Sequence, residues 1–365
     1  LFIIRSDRMG KRVFLAAAVT AMALSTAGTA GQSGLLEQEH IFEKAQFRSC
    51  HASTIEQTPD GLVAAWFGGS GEGDRDVGIW VSRKKHCGWS LPVEAANGVQ
   101  HADLRYPCWN PVLFKPRRGP LMLFYKCGPS PSSWWGMLTV SRDNGKSWSE
   151  PRRLPAQIDG PVKNKPIQLA DGTILCGSST EYDGWRVHFE LTGDLAHSWK
   201  RVGPVNEKDQ FGAIQPTLLT YPGGRIQALC RSGQGKLTEV WSEDGGLTWS
   251  KMKATSLPNP NAGADGVTLA DGRQLLVYNH TPNPGGEFHG REFLNVAVSD
   301  DGVNWKAALV LEREKDREFS YPAVIQTDDG LVHTVYTWHR KRIAHAVIDP
   351  AKLRLQDIVD GRWPK

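Results

Sequence analysis

Apolar runs of strand length recur along this chain, and six of them break at a turn glycine: Asp60-Gly61, Arg118-Gly119, Asp171-Gly172, Gly223-Gly224, Asp271-Gly272 and Asp329-Gly330. Each break joins two runs, such as residues 52–59 to 62–67, or 323–327 to 331–337. Such pairs predict β-hairpins. A second signal runs in phase with the first. The motif Ser/Thr-x-Asp-x-Gly-x-x-Trp appears as Ser141 to Trp148 and Ser242 to Trp249, and more loosely as Ser299 to Trp305. Thr192 to Trp199 is a weaker copy, and Ser82 to Trp89 a degenerate one. In each box the Asp folds back onto turn amides, the Gly supplies a positive φ and the Trp covers the loop.

Both signals repeat at about 50 to 60 residues, the period of a four-stranded blade. Six units predict an all-β, six-bladed β-propeller, in which radial repetition protects the sheet edges. The repeat leaves open how the ends close the ring, a seventh blade being one solution. The 38 Gly and 14 Trp suit short strands and tight turns.

The N-terminus reads as an address. Met9 is expected to be the start, with Lys11 and Arg12 ahead of an apolar stretch at 13–24 and small residues at Gly28 and Ala30. This pattern predicts a secretory signal peptide within residues 1–30, a single propeller domain over 31–365, and a secreted or periplasmic protein. Because the leader is basic, the formal charge of +4 falls to about +1 without it. With no Lys/Arg block, nucleic acid is not an expected partner. With no internal run of 18 apolar residues, neither is a membrane span in the mature chain. Six cysteines (50, 87, 108, 127, 176 and 230) permit up to three disulfides in an oxidising compartment, with no pairing assigned. No ligand spacing for zinc or an EF-hand occurs, so no metal or cofactor is expected. His188 and Glu190 alternate onto one side of a strand, but a pair alone is not a site.

The repeated box resembles the Asp-box of the bacterial neuraminidase (BNR) repeat. The resemblance covers roughly residues 47–349 and implies the sialidase-like six-bladed superfamily. It identifies the fold and not the reaction.

Chemistry in a propeller is expected where the innermost strands meet. The leading ends of the first strands carry His51, Asn110, Lys163-Asn164-Lys165, Gln215, Asp265 and Tyr321; the following strands end near Lys126, Glu181, Arg231, His280 and Arg340. Asn110, Lys163 and Lys165 are thereby candidate substrate-binding groups. The resemblance implies more. A sialidase clamps a substrate carboxylate with arginines, moves protons with a carboxylic acid, and attacks with a tyrosine activated by a glutamate. Tyr321, nine residues before Gly330, matches the nucleophile; Arg231 and Arg291 match two clamp arginines; Asp76, with Asp74 close by, falls near the acid. Two positions depart from the pattern. His51 stands where the family has the arginine of Arg-Ile-Pro, with Arg48 as a possible compensation, and Gln215 stands where the activating glutamate is expected.

Three functions remain open. One is a sialidase-like exo-glycosidase acting on a terminal acidic sugar of a glycan. Another is a lyase of the rhamnosyl-glucuronate type, in which His51 or Tyr321 takes the C5 proton of a uronate. The third is a glycan-binding propeller without turnover, stacking sugars on Trp134-Trp135 beside the Pro284-Gly285-Gly286 loop.

Overall fold

The computed structural model describes residues 33–85, 88–281 and 290–364. Six antiparallel sheets form the blades of a β-propeller. Blade 1 comprises Ser49–Thr58, Gly61–Gly69 and Gly78–Lys85, with two short outer strands; blade 2 begins with Cys108–Phe114, blade 3 with Ile167–Gln168, blade 4 with Ala213–Thr220, blade 5 with Asp265–Thr268 and blade 6 with Phe319–Gln326. First strands of neighbouring blades touch: blade 1 meets 2 and 6, and blade 5 meets 4 and 6. They therefore line the axis. The six hairpin glycines all take a positive φ, as the turn pattern requires. No helix among the described residues is long and apolar enough to cross a membrane.

Blades are covered on both faces, so their inner strands are apolar throughout; Leu121–Cys127 is buried at every position. Six apolar clusters result, one between each adjacent pair of blades. Between blades 1 and 2, for example, Phe67 and Val81 meet Leu123 and Tyr125. The Asp-containing boxes fold as hairpin locks. The Asp143 carboxylate accepts the amides of Lys146 (3.1 Å) and Ser147 (2.9 Å), and Gly145 N–H donates to Ser141 Oγ at 2.7 Å. Asp194, Asp244 and Asp301 do the same in blades 3, 4 and 5. Each Trp then packs on its neighbour, as Trp249 stacks on Phe189 at 3.7 Å.

There is no seventh blade among the described residues. Leu35–His40 supplies the outer strand of blade 6, pairing antiparallel with Arg342–Ile348, so a segment ahead of blade 1 completes the last blade, while Gln356–Asp357 adds to the outer edge of blade 5. Of the six cysteines, five are described; all five are buried free thiols, and Cys108 faces Cys127 across one ladder. The permitted disulfides are thus not formed among them, because the others lie in separate blade cores. Cys87 and the leader (1–30) lie outside the described residues.

Glu39 ties the closing strand to blade 1. Its Oε1 accepts Lys84 Nζ at 2.6 Å and Trp89 Nε1 at 3.0 Å, and lies 3.1 Å from His345 Nδ1. Burial alone would raise this carboxyl, but His345 and Lys84 outweigh it and hold it at about 2. A depressed carboxylate stabilises the fold above its unfolded value, and the effect fades as pH falls from about 4.5 towards 2. We predict that Glu39→Gln lowers the melting temperature by a few degrees at pH 7 and by much less near pH 3; thermal unfolding at both values checks it.

Candidate active site

At the axis, four first strands and the segment leading into that of blade 3 carry the same irregularity. Ala52 (φ 54°), Asn110 (39°), Lys163 (74°), Gln215 (58°) and Tyr321 (53°) all adopt left-handed backbone, although none is glycine. Register shifts mark bulges there in blades 1, 2, 4 and 6. A bulge places an extra residue on one strand and re-aims its side chain. Three of these residues precede proline (Pro111, Pro216, Pro322), which restricts them further. Strain of this kind persists where surrounding structure over-determines it, typically at functional sites.

Two linked clusters result. In the first, Tyr321 Oη accepts Arg231 Nη1–H at 2.5 Å and Gln215 Nε2–H at 3.3 Å, while Arg231 Nε donates to Asn261 Oδ1 at 2.7 Å. In the second, Glu318 holds two arginines. Its Oε1 accepts Arg291 Nη1 at 2.9 Å and Ser320 Oγ at 2.7 Å, and its Oε2 accepts Arg340 Nε at 2.8 Å. Successive left-handed residues, His339 and Arg340, turn the chain so that this guanidinium returns to the axis. His51 joins the two clusters. Its ring lies 4.1 Å from that of Tyr321, its Nδ1 is 2.8 Å from Thr337 Oγ1, and its Nε2 is 3.5 Å from Arg340 Nη2.

Burial and charge set the protonation states. Burial pushes His51 well below the usual histidine range, Arg340 adds to this, and Glu318 only partly opposes it; the imidazole is neutral at pH 7. Burial works against the Glu318 carboxylate, but the charges of Arg340 and Arg291 and the bond to Arg340 outweigh it and keep it ionised. Glu181, near Arg231, shifts upward through burial; the charge of Arg231 and its bond to Trp185 only partly offset this. Trp185 in turn lies 5.1 Å under Arg231.

The structure thus brings together Tyr321, His51, Gln215, Arg231 and Arg291, and it places other candidates elsewhere. Asp76 is exposed and does not reach Tyr321: its carboxylate accepts the Ser70 amide at 3.0 and 3.1 Å and the Ser70 hydroxyl at 2.7 Å, closing the base of its loop. Arg48 is also exposed, with its amide paired to Gly69 O, whereas the guanidinium that lies beside His51 is that of Arg340. Lys163 has no proton left for a ligand, since its ammonium donates to Asn164 Oδ1, Ala264 O and Pro322 O beneath Tyr321. Burial lowers it to about 7, and it acts as a plug joining blades. Lys165 is committed likewise, to Asp265 Oδ2 and Gly266 O. Asn110 is buried at the bulge of blade 2. Trp134 packs on Trp109, Trp135 lies under Arg153, and the Pro284-Gly285-Gly286 loop is outside the described residues.

Two residues escaped the sequence reading as site groups, Glu318 and Asn261, while Arg340 was placed at a strand end without a role. The usable signal was electrostatic. Buried arginines need a buried carboxylate, and Glu318 lies three positions before Tyr321. Among the described residues, Asp159, His188 and Glu190 are close enough to share a metal ion. Both Glu190 oxygens, however, already accept the amides of Asp159 and Gly160, which makes the group a loop anchor.

Residues 60–334 match the BNR repeat-like domain family. The chain belongs to that family. This BNR repeat-like protein is 22% identical over 233 residues to the anhydrosialidase of Macrobdella decora, a match covering 56% of this chain and only 30% of that relative. Among solved structures it resembles a protein of unknown function from Dyadobacter fermentans (TM-score 0.71, 16% identity, 88% of this chain and all of that one). It also resembles the intramolecular trans-sialidase of Ruminococcus gnavus (0.70, 13%, 90% and 100%) and a Hadza microbial sialidase (0.70, 18%, 84% and 66%). At these identities the likeness is one of fold.

Replacing the plug tests the reading of Lys163. Lys163→Met leaves three buried acceptors unpaired, for which we predict a loss of about 2–4 kcal/mol in urea unfolding.

Proposed function

We propose that this chain is a carbohydrate-active enzyme, an exo-glycosidase of sialidase type that releases a terminal acidic sugar from a glycan. One observation carries the reading: the guanidiniums of Arg231 and Arg291 lie over a nearly buried Tyr321, that of Arg340 lies beside the adjoining His51, and a single buried carboxylate, Glu318, pairs with two of the three. Such a pocket favours an anion, and paired guanidiniums suit a planar carboxylate. The names of its relatives, sialidases and an anhydrosialidase, agree with that substrate class. We further propose that residues 1–30 export the protein to the cell envelope or beyond, where such glycans occur.

In this scheme the sugar carboxylate lies on the arginines, and the tyrosyl oxygen attacks the anomeric carbon as the glycosidic C–O bond breaks. The leaving oxygen takes the proton that the phenol gives up through the base, and water then releases the sugar from the tyrosine and restores the phenol. Arg231 donates to the phenolic oxygen and would steady charge developing there. Gln215, an amide, cannot take the phenolic proton. The base is therefore His51, neutral and packed against the ring.

A second reading draws on the same departure. With no carboxylate beside Tyr321, the neutral His51 and Tyr321 also suit β-elimination from a uronate: a base removes the C5 proton, a C4–C5 double bond forms and the C4–O bond breaks. Incubation with sialylated and uronate-capped glycans separates the two. Free sugar without new ultraviolet absorbance is expected; rising absorbance would establish elimination instead, and silence in both channels would leave a binding propeller. We predict that Tyr321→Phe lowers turnover by about a thousandfold while glycan affinity is retained. Gln215→Glu should raise hydrolysis by restoring a carboxylate base, and a fall would argue for elimination.

A further inference from the structure

Arg340 has one edge turned inward and one turned out. Inward, Nε and Nη2 are taken by Glu318 at 2.8 and 3.4 Å, and Nη2 also approaches His51. Outward, Nη1 donates to the carboxylate of Glu72. Glu72 belongs to the loop after Gly61–Gly69 in blade 1, whose base is closed by Asp76 on Ser70 and tightened by the Asp74-to-Gly71 and Val77-to-Asp74 bonds. The loop leaves blade 1, rests Gly73 against Trp109 of blade 2, and reaches blade 6 through Glu72 alone among these contacts. Below it lie His51, 1% exposed, and Tyr321, 8% exposed.

The pairing is not an ordinary surface ion pair. The Arg340 side chain is only 30% exposed, against 39% for Glu72, and its outer edge is the accessible end of a cluster with more guanidiniums than buried carboxylates. A carboxylate on that edge is what the pocket is built to receive.

We infer that Glu72 occupies, in the empty site, the place on Arg340 that a substrate carboxylate takes, and so acts as a specificity-determining residue that only an anionic sugar displaces. This rests on the acidic-sugar reading above. Exchange of one carboxylate for another keeps the charge-assisted bond to Arg340, whereas a neutral sugar offers a weaker partner and leaves the loop tied down. The apparent affinity for an acid is then reduced by the fraction of molecules in which Glu72 holds the edge.

The test is calorimetric binding of free N-acetylneuraminic acid, glucuronic acid and, as a neutral control, galactose. Wild-type protein would be compared with Glu72→Gln, Glu72→Ala and Arg231→Met, with thermal unfolding confirming that each variant is folded. Both Glu72 variants should bind at least one acid about tenfold more tightly than wild type, with galactose unchanged. Equal acid binding in wild type and both variants, with loss in Arg231→Met, would overturn the latch and leave the anion site standing. Weaker binding in the Glu72 variants would make Glu72 a substrate contact and also overturn it. If neither wild type nor the Glu72 variants bind either acid, the acidic-sugar reading fails and the latch falls with it.

Discussion

Where six strands converge on one axis, there is room for about one side chain from each. That crowding governs the rest of this molecule. A regular strand alternates its side chains between the two faces of its own blade and presents none to the axis. The bulges at Ala52, Asn110, Gln215 and Tyr321 break the alternation and aim one residue inward. Not every blade contributes: a Cβ on Gly263 would stand 3.1 Å from Lys163 Cε and 3.4 Å from both Gln215 and Tyr321. Blade 5 yields its space to its neighbours, and Lys163 fills the axis below them.

Charge follows from the same crowding. A guanidinium taken out of water needs a partner, and a single buried carboxylate serves two of the three arginines here. Glu318 is bonded to Arg291 and Arg340, while Arg231 is left to neutral oxygens on Asn261, Gln215 and Tyr321. The site is therefore electropositive where it opens, and the nearby carboxylates, Glu72 and Glu181, are the protein's own counter-charges. Burial keeps His51 neutral, and the same cations add to it. An arginine at that position would add a fourth positive charge beside Glu318; histidine adds none and leaves room for Arg340 to enter from blade 6.

The fold was legible in the chain because its determinants are local. A turn needs Gly at one position, a box needs Asp, Gly and Trp within eight residues, and repetition multiplies a weak signal sixfold. Spacing from those turns also located Tyr321, Gln215, His51, Arg231 and Arg291, since a strand of fixed rise carries a residue a fixed distance from its hairpin. The same counting failed for Asp76 and Arg48, which lie in or beside loops, where spacing does not determine direction. It failed differently for Lys163 and Lys165. Their types suggested anion binding, but whether an ammonium is free depends on which carbonyls and carboxylates surround it, and those come from blades 5 and 6.

The sequence by itself determined the six repeats, the hairpins and which residues stand at the inner ends of the strands, because each follows from contacts within one repeat. Tertiary structure alone decided the closure by Leu35–His40 without a seventh blade, the burial of Lys163 as a plug, and the arrival of Arg340 rather than Arg48 beside Glu318. The physical reason is the same in each case. These outcomes depend on partners tens to hundreds of residues away, and a charge buried at the axis is stable only with the counter-charges and carbonyls that folding brings to it.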